Sequence, residues 1–264
     1  VRILDVWKHY NEFGNTFGFK PRFDLKEGKL VLIPNIIDSE EKYRHYNDYI
    51  ESIRKNDYFY RRKFKREMMQ FPYFVSIISN PSRNIPLLWN IWWHQVVRKE
   101  DIKSIPYPTA MRVIMKVNLK LRYKLFTKDR YATDLFLALT EEFRRYVESQ
   151  NAIPMFLLMP QKDDILLVRE KGKYYGKVLE EIRKKMVVVD LTEPLLAAAN
   201  LEALYSDPND YGGHYSRLGN EFVAKEIMKV LTSAGVLTLK SQKAPYFNKG
   251  MNGFLAFGVT EIRL

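Results

Sequence analysis

The chain of 264 residues contains no cysteine, which excludes a disulfide framework, a thiolate zinc site and a cysteine nucleophile. It also has no run near the roughly 18 consecutive apolar residues that a membrane-spanning helix requires. Its start lacks the charged-then-apolar order of a signal peptide, so the chain as given reads as soluble, with its compartment open. Internal repeats and low-complexity tracts are missing too. Histidine is scarce: His9, His45, His94 and His214 lie in separate segments with no partner at metal-ligand spacing. A histidine metal site is therefore not expected, and the first three histidines read as surface or core-edge residues. What is present is apolar bulk: 46% hydrophobic residues and 14% aromatic residues can build a sizeable core and argue against disorder.

Charge is unevenly placed. The net charge is +12, from 43 Lys and Arg against 31 Asp and Glu. Residues 39–130 hold 20 basic and 9 acidic side chains, whereas 131–264 hold 17 of each. The chain is accordingly read in three parts: 1–38, a strand, loop and hairpin of an α/β domain; 39–130, a basic, aromatic-rich helical insertion or cap; and 131–264, the C-terminal βα part. Within the insertion, Tyr58, Phe59, Tyr60, Phe64, Phe71, Tyr73 and Phe74 interleave with Arg61, Arg62, Lys63, Lys65 and Arg66. Three readings fit this run. It can be a cap whose aromatics pack on the core while the basic groups stay wet, a surface for anionic membrane, or a surface for an acidic polysaccharide. No recognised motif supports nucleic acid.

The last third alternates periodic and continuous apolar segments. Leu135, Leu139, Phe143 and Val147 share one face of a helix over Asp134 to Ser149. Ile153 to Met159 and Met186 to Leu191 are continuous apolar runs, as expected of strands buried on both faces. Tyr174 to Lys185 and a stretch from Leu218 to Gly235 are helical in pattern. Helix, strand, helix, strand, loop, helix is the grammar of a parallel sheet wrapped by helices. Asp163 and Asp164 fall after Pro160 and read as a solvated turn, with cleft lining as the alternative; Asp190 reads as a strand-end cap. Nearer the front, Arg22 to Leu25 and Leu30 to Ile33 flank a hairpin turn. Ser39 can cap a helix from Glu40 to about Lys55, and Pro72, Pro81, Pro86, Pro106 and Pro108 cut the rest into short pieces.

In open parallel sheets, chemistry sits on loops leaving the carboxyl ends of strands. Two loops qualify. One follows Arg2 to Val6 and contains His9, Asn11 and Glu12. The other, Tyr205 to Ser216, places Asp207 and Asp210 just before His214, with Gly212 and Gly213 allowing a sharp turn at the start of a helix. Histidine is the natural general base near neutral pH, and a neighbouring carboxylate sets its tautomer and stabilises the imidazolium. A turn or capping role for the same residues is the plainer alternative.

At this loop Gly213-His214-Tyr215-Ser216-Arg217-Leu218-Gly219-Asn220, followed by Val223-Ala224, resembles the C-terminal block of SGNH (GDSL-type) esterases. Lys20-Pro21-Arg22-Phe23-Asp24-Leu25, Gly28-Lys29-Leu30 and Leu32 are similar to a segment that follows the third block in one bacterial branch of that family. Pro154 to Gln161 and Val189 to Thr192 fit its later strands. The resemblance implies a three-layer, flavodoxin-like α/β fold with a basic insertion, and hydrolysis of an acyl or acetyl ester on a glycan or lipid-like substrate. It makes His214 the general base and Asn11 an oxyanion donor, with Glu12 where the family usually has Asp. The family's acid lies three residues before the histidine, where this chain has Tyr211. Asp210 is the favoured substitute and Asp207 the alternative.

The family's nucleophilic serine stands in a Gly-Asp-Ser block, and this chain has neither that block nor Gly-x-Ser-x-Gly. Ser216 is expected to cap the last helix instead. The first residue is Val1 and the apolar run from Ile3 begins at once, so the chain is expected to be N-terminally incomplete and inactive alone. The competing expectation is a non-catalytic domain of the same type that binds an anionic surface or partner through its basic insertion.

Overall fold

The computed structural model describes residues 22–55, 65, 71–99, 107–207 and 211–236. The chain divides after Asn118 into two compact units. It is mixed α/β and mostly helical, and the described strands form two separate two-stranded sheets, one antiparallel and one parallel. The continuous multi-stranded sheet expected of a three-layer fold is thus not seen among the described residues. The strand expected at Arg2 to Val6 lies outside them.

In the first unit β1 (Arg22–Lys26) and β2 (Lys29–Ile33) pair in antiparallel register, with Arg22 opposite Ile33 and Lys26 opposite Lys29. The two linking residues, Glu27 and Gly28, have φ of 50° and 75°. Positive φ at both positions gives the two-residue turn whose twist matches that of the strands. Ser39 caps α1 (Glu40–Arg44), its Oγ accepting from the Lys42 N–H at 3.2 Å. The long helix expected to Lys55 is interrupted: His45 leaves helical geometry, a 3₁₀ turn spans Tyr46–Tyr49, and α2 (Ile50–Lys55) resumes. Asn47 and Asp48 occupy that turn, and such side chains compete with the helical backbone for hydrogen bonds. Then come α3 (Tyr73–Ser79), α4 (Pro81–Trp92) and a π-helical turn over Trp93–Val97. α5 (Tyr107–Thr127) carries the chain across the division between units.

The second unit continues with α6 (Arg130–Ser149), capped by Asp129, whose Oδ1 accepts from the Ala132 N–H at 3.2 Å. The helices and strands expected here all form. β3 (Met155–Leu158) runs parallel to β4 (Val187–Asp190), with Leu157 opposite Val189. Between them lie α7 (Lys162–Lys171) and α8 (Gly176–Arg183). Successive strand residues face opposite ways, and the core follows this alternation. Phe156 and Val188 join Val178, Leu179 and Ile182 of α8. Leu157 and Val189 join Ile165, Leu191, Leu195 and Val223. The second group draws on α9 (Thr192–Leu196), α10 (Leu201–Leu204) and α11 (Arg217–Ser233). Asp190 is a strand-end cap as expected: its carboxylate accepts from the Thr192 N–H at 3.0 Å and from Lys173 Nζ at 2.8 Å. Burial opposes its charge, yet these donors hold the carboxyl below the usual range.

Ser216 caps α11, its Oγ accepting from the Gly219 N–H at 3.0 Å and donating to the Ala203 carbonyl at 2.6 Å. This brings α11 against α10 so closely that a Cβ on Gly219 would lie 2.0 Å from the Leu204 carbonyl oxygen. Backbone cannot rotate away as a side chain can. Gly219→Ala is expected to lower stability by about 3 kcal/mol, as overpacking of a tight contact does, read as a fall in the urea midpoint of the second unit.

Candidate functional site

The site grows from the start of α7, where the solvated turn expected at Asp163 and Asp164 is replaced by a buried helix end. Both aspartates are 6% exposed, and Lys162 is 1% exposed. The cause is Arg122 of α5, itself buried. It donates from Nη1 to Gln161 Oε1 at 2.7 Å and from Nη2 to Asp163 Oδ2 at 2.9 Å, with Nε 3.1 Å from Asp164 Oδ1. Tyr174 adds a hydroxyl donor to Asp164 at 2.7 Å, and the Gln161 N–H donates to Asp164 Oδ2 at 3.0 Å. Lys162 pairs with Glu202. A buried charge must be paired and hydrogen-bonded to be tolerated, and here each carboxylate faces the same cation.

The turn held by Arg122 in turn holds the histidine loop. The Lys162 N–H donates to the Gly212 carbonyl at 2.8 Å, and a Cβ on Gly213 would meet Gln161 Cγ at 3.0 Å. Tyr205 and Tyr215 stack with ring centres 4.8 Å apart, and both hydroxyls donate to the Pro160 carbonyl, at 2.8 and 2.9 Å. Burial pushes the Tyr215 phenol up to about 12 and raises that of Tyr205 further, so both remain donors at ordinary pH. The loop closes on itself through Ser206, whose N–H donates to the His214 carbonyl at 2.8 Å.

Inside this frame Asp207 accepts twice from one residue. The His214 N–H donates to Oδ2 at 3.1 Å, and Nδ1 lies 3.1 Å from Oδ1 and 3.2 Å from Oδ2. A nitrogen facing two carboxylate oxygens carries the proton, so Nε2 is left with the lone pair. The histidine side chain is 64% exposed and that of Asp207 25% exposed, so Nε2 opens outward from a partly covered carboxylate. The approach depends on glycine: Gly212 has φ +115°, and a Cβ there would fall 2.4 Å from Asp207 Oδ2.

Of the residues singled out in the sequence, the structure brings together His214 and Asp207. Asp210, Asn11 and Glu12 lie outside the described residues, as do His9 and Arg61, Arg62, Lys63 and Arg66; Lys65 is exposed. His94 is buried in the first unit and His45 ends α1. Among the described residues no three His, Asp or Glu side chains gather as metal ligands. The sequence reading missed Arg122, Gln161, Tyr205 and Tyr215. Gln161 and Asp164, three apart before an apolar helix, carry a recognisable N-terminal signature. Tyr205 and Tyr215 lie in the loop that the sequence singles out but carry no mark of their hydrogen bonds to Pro160, and Arg122 has no local signal.

Asp163 offers a direct test of this frame. Its Oδ1 meets no donor among the described residues, so burial outweighs the Arg122 guanidinium and pushes its carboxyl up to about 6. The folded form therefore holds a proton that the unfolded chain releases near pH 4, and this contribution to stability declines as pH rises from about 4 to 6. The loss is at most about 3 kcal/mol, at 1.36 kcal/mol per pKa unit. Asp163→Asn should flatten this leg, seen by comparing urea midpoints of the two proteins at pH 4, 5 and 6; identical pH profiles would contradict the assignment.

No protein-family model, no curated protein and no solved structure matches this chain.

Proposed function

We propose that the chain carries the acid–base half of an SGNH-type serine esterase, with His214 as general base and Asp207 as its orienting carboxylate. The observation that carries this reading is the contact of His214 Nδ1 with both Asp207 oxygens at the mouth of α11. With Nδ1 protonated, Nε2 can take the proton of a serine hydroxyl as the oxygen attacks an ester carbonyl, and return it to the departing alcohol. Asp207 stabilises the imidazolium formed between those steps. Asp207 takes this role in the proposal because its carboxylate contacts the ring, with Gly212 leaving room for it; Asp210 lies outside the described residues. Asn11 would donate its amide to the developing oxyanion, an interaction of about 3 to 4 kcal/mol in comparable sites.

The substrate class is an acyl or acetyl ester on a glycan or lipid-like molecule, and the chemistry requires no metal or organic cofactor. In this reading the β3 and β4 pair belongs to the parallel sheet of a three-layer, flavodoxin-like fold. The serine is supplied by a segment outside these 264 residues, which contain no Gly-Asp-Ser block.

Hydrolysis of p-nitrophenyl acetate, by this chain and by the full reading frame to which it belongs, tests the proposal. The full product should turn the ester over. His214→Ala should reduce that turnover by about 1,000-fold or more, and Asp207→Asn should lower kcat with little change in KM. Turnover that survives His214→Ala would overturn the assignment, as would a full reading frame with no serine that labels with a fluorophosphonate.

A further inference from the structure

The segment from Phe71 to Lys99 is amphipathic in the wrong sense for a packed helix pair. On α4 and the π-helical turn after it, Ile85, Leu88, Trp89, Trp92, Val96 and Val97 recur at helical spacing, and all six are exposed, Trp89 by 62%. α3 continues the pattern, with Phe74 62% and Ile78 68% exposed, and Phe71 just before it is 86% exposed. The buried positions are polar: Asn84 is 3% exposed and donates from Nδ2 to the Ser76 carbonyl at 2.8 Å, and His94 is 7% exposed. The aromatics expected to pack as a cap, Phe71, Tyr73 and Phe74, are outside. A contiguous exposed apolar face of this extent marks a surface that meets another apolar phase.

We infer that this face docks on a lipid bilayer with anionic headgroups, α3 and α4 lying in the plane of the interface. Charge selects the partner. From residue 71 to 99 there is no Asp or Glu, and the charged residues are Arg83, Arg98 and Lys99. Along the chain, residues 39–130 carry 20 basic and 9 acidic side chains, and the face itself has only basic charges, so a second copy would set like charge against like. An anionic bilayer supplies both the apolar phase and the opposite charge. Tryptophan is also the residue type favoured at that depth, and Trp89 and Trp92 lie together with ring centres 5.0 Å apart. No described helix is long and apolar enough to cross the membrane, so the contact is peripheral. This inference stands whether or not the esterase reading does.

The test is co-sedimentation of the whole chain with vesicles of phosphatidylcholine containing about 30% phosphatidylglycerol, and with phosphatidylcholine alone. Binding should appear on the anionic vesicles with a blue shift of tryptophan emission, and weaken at least tenfold between about 0.1 and 0.5 M salt. Trp89→Ser with Trp92→Ser should weaken it at least about tenfold. Arg98→Gln and Lys99→Gln, both at exposed positions, should each weaken it about fivefold while leaving the circular dichroism spectrum unchanged. Three results would overturn the inference: no binding to either vesicle; binding that the tryptophan variants do not affect, or that heparin matches without them; or a dimer in sedimentation equilibrium that Trp89→Ser dissociates, which would assign the face to a second copy.

Discussion

Arg122 carries its guanidinium into the interior, and a buried cation dictates what stands around it. Desolvating one charge costs several kcal/mol, recovered only when acceptors meet its donors in good geometry. Gln161 and Asp163 accept from its two Nη groups and the Asp164 carboxylate lies 3.1 Å from Nε as a counter-charge, all from a single turn. The turn between β3 and α7 is therefore tied to α5, a helix about 40 residues earlier in the chain, and cannot drift to the surface as a polar Asp-Asp pair otherwise would. Everything at the candidate site leans on this turn: Pro160 offers its carbonyl to two tyrosines, and Lys162 offers its N–H to Gly212.

The histidine loop is then a backbone problem solved from two sides. Tyr205 and Tyr215 fix its ends to Pro160, Gly212 and Gly213 let its middle pass close to Gln161 and Asp207, and Ser216 fastens the start of α11 to α10. Asp207 reaches His214 past Gly212, where a Cβ would fall 2.4 Å from its Oδ2. A stacked tyrosine pair with both hydroxyls occupied makes a stiff hinge for such a loop. The ring of His214 can stand exposed without wandering, since its own N–H and its Nδ1 share one carboxylate.

The two units handle charge and apolar area in opposite ways. The second buries its apolar residues on both faces of a short parallel ribbon, and from residue 131 onward it holds 17 basic and 17 acidic side chains. In the first, the segment from Phe71 to Lys99 places aromatics outside and the polar Asn84 and His94 inside, and contains no Asp or Glu. Such an arrangement loses free energy in water alone and gains it where an apolar and anionic phase is present. Composition was the visible sign of this difference, since the basic excess and three of the four tryptophans sit in the middle of the chain.

Residue pattern by itself determined α6, β3, α8, β4 and α11 of the second unit, the hairpin, and the caps at Ser39 and Ser216, because spacing and turn chemistry along the chain are what a helix face, a strand face or a cap requires; the helices over Lys162–Lys171, Thr192–Leu196 and Leu201–Leu204 were not visible in it. It also picked out the loop holding His214 and two candidate carboxylates. The contact of Nδ1 with Asp207 belongs to the tertiary structure, because it depends on how closely Gly212 lets the backbone approach that carboxylate; Asp210 lies outside the described residues. Tertiary structure likewise turned Asp163 and Asp164 from an expected solvated turn into a buried ion-pair cluster, since their partner Arg122 is distant in sequence and carries no local signal. It also set Phe71, Tyr73 and Phe74 outside, while Tyr58 to Phe64 of the same run lie outside the described residues; an alternation of aromatic and basic residues reads the same whichever way the aromatics face, so exposure is decided by packing and not by spacing.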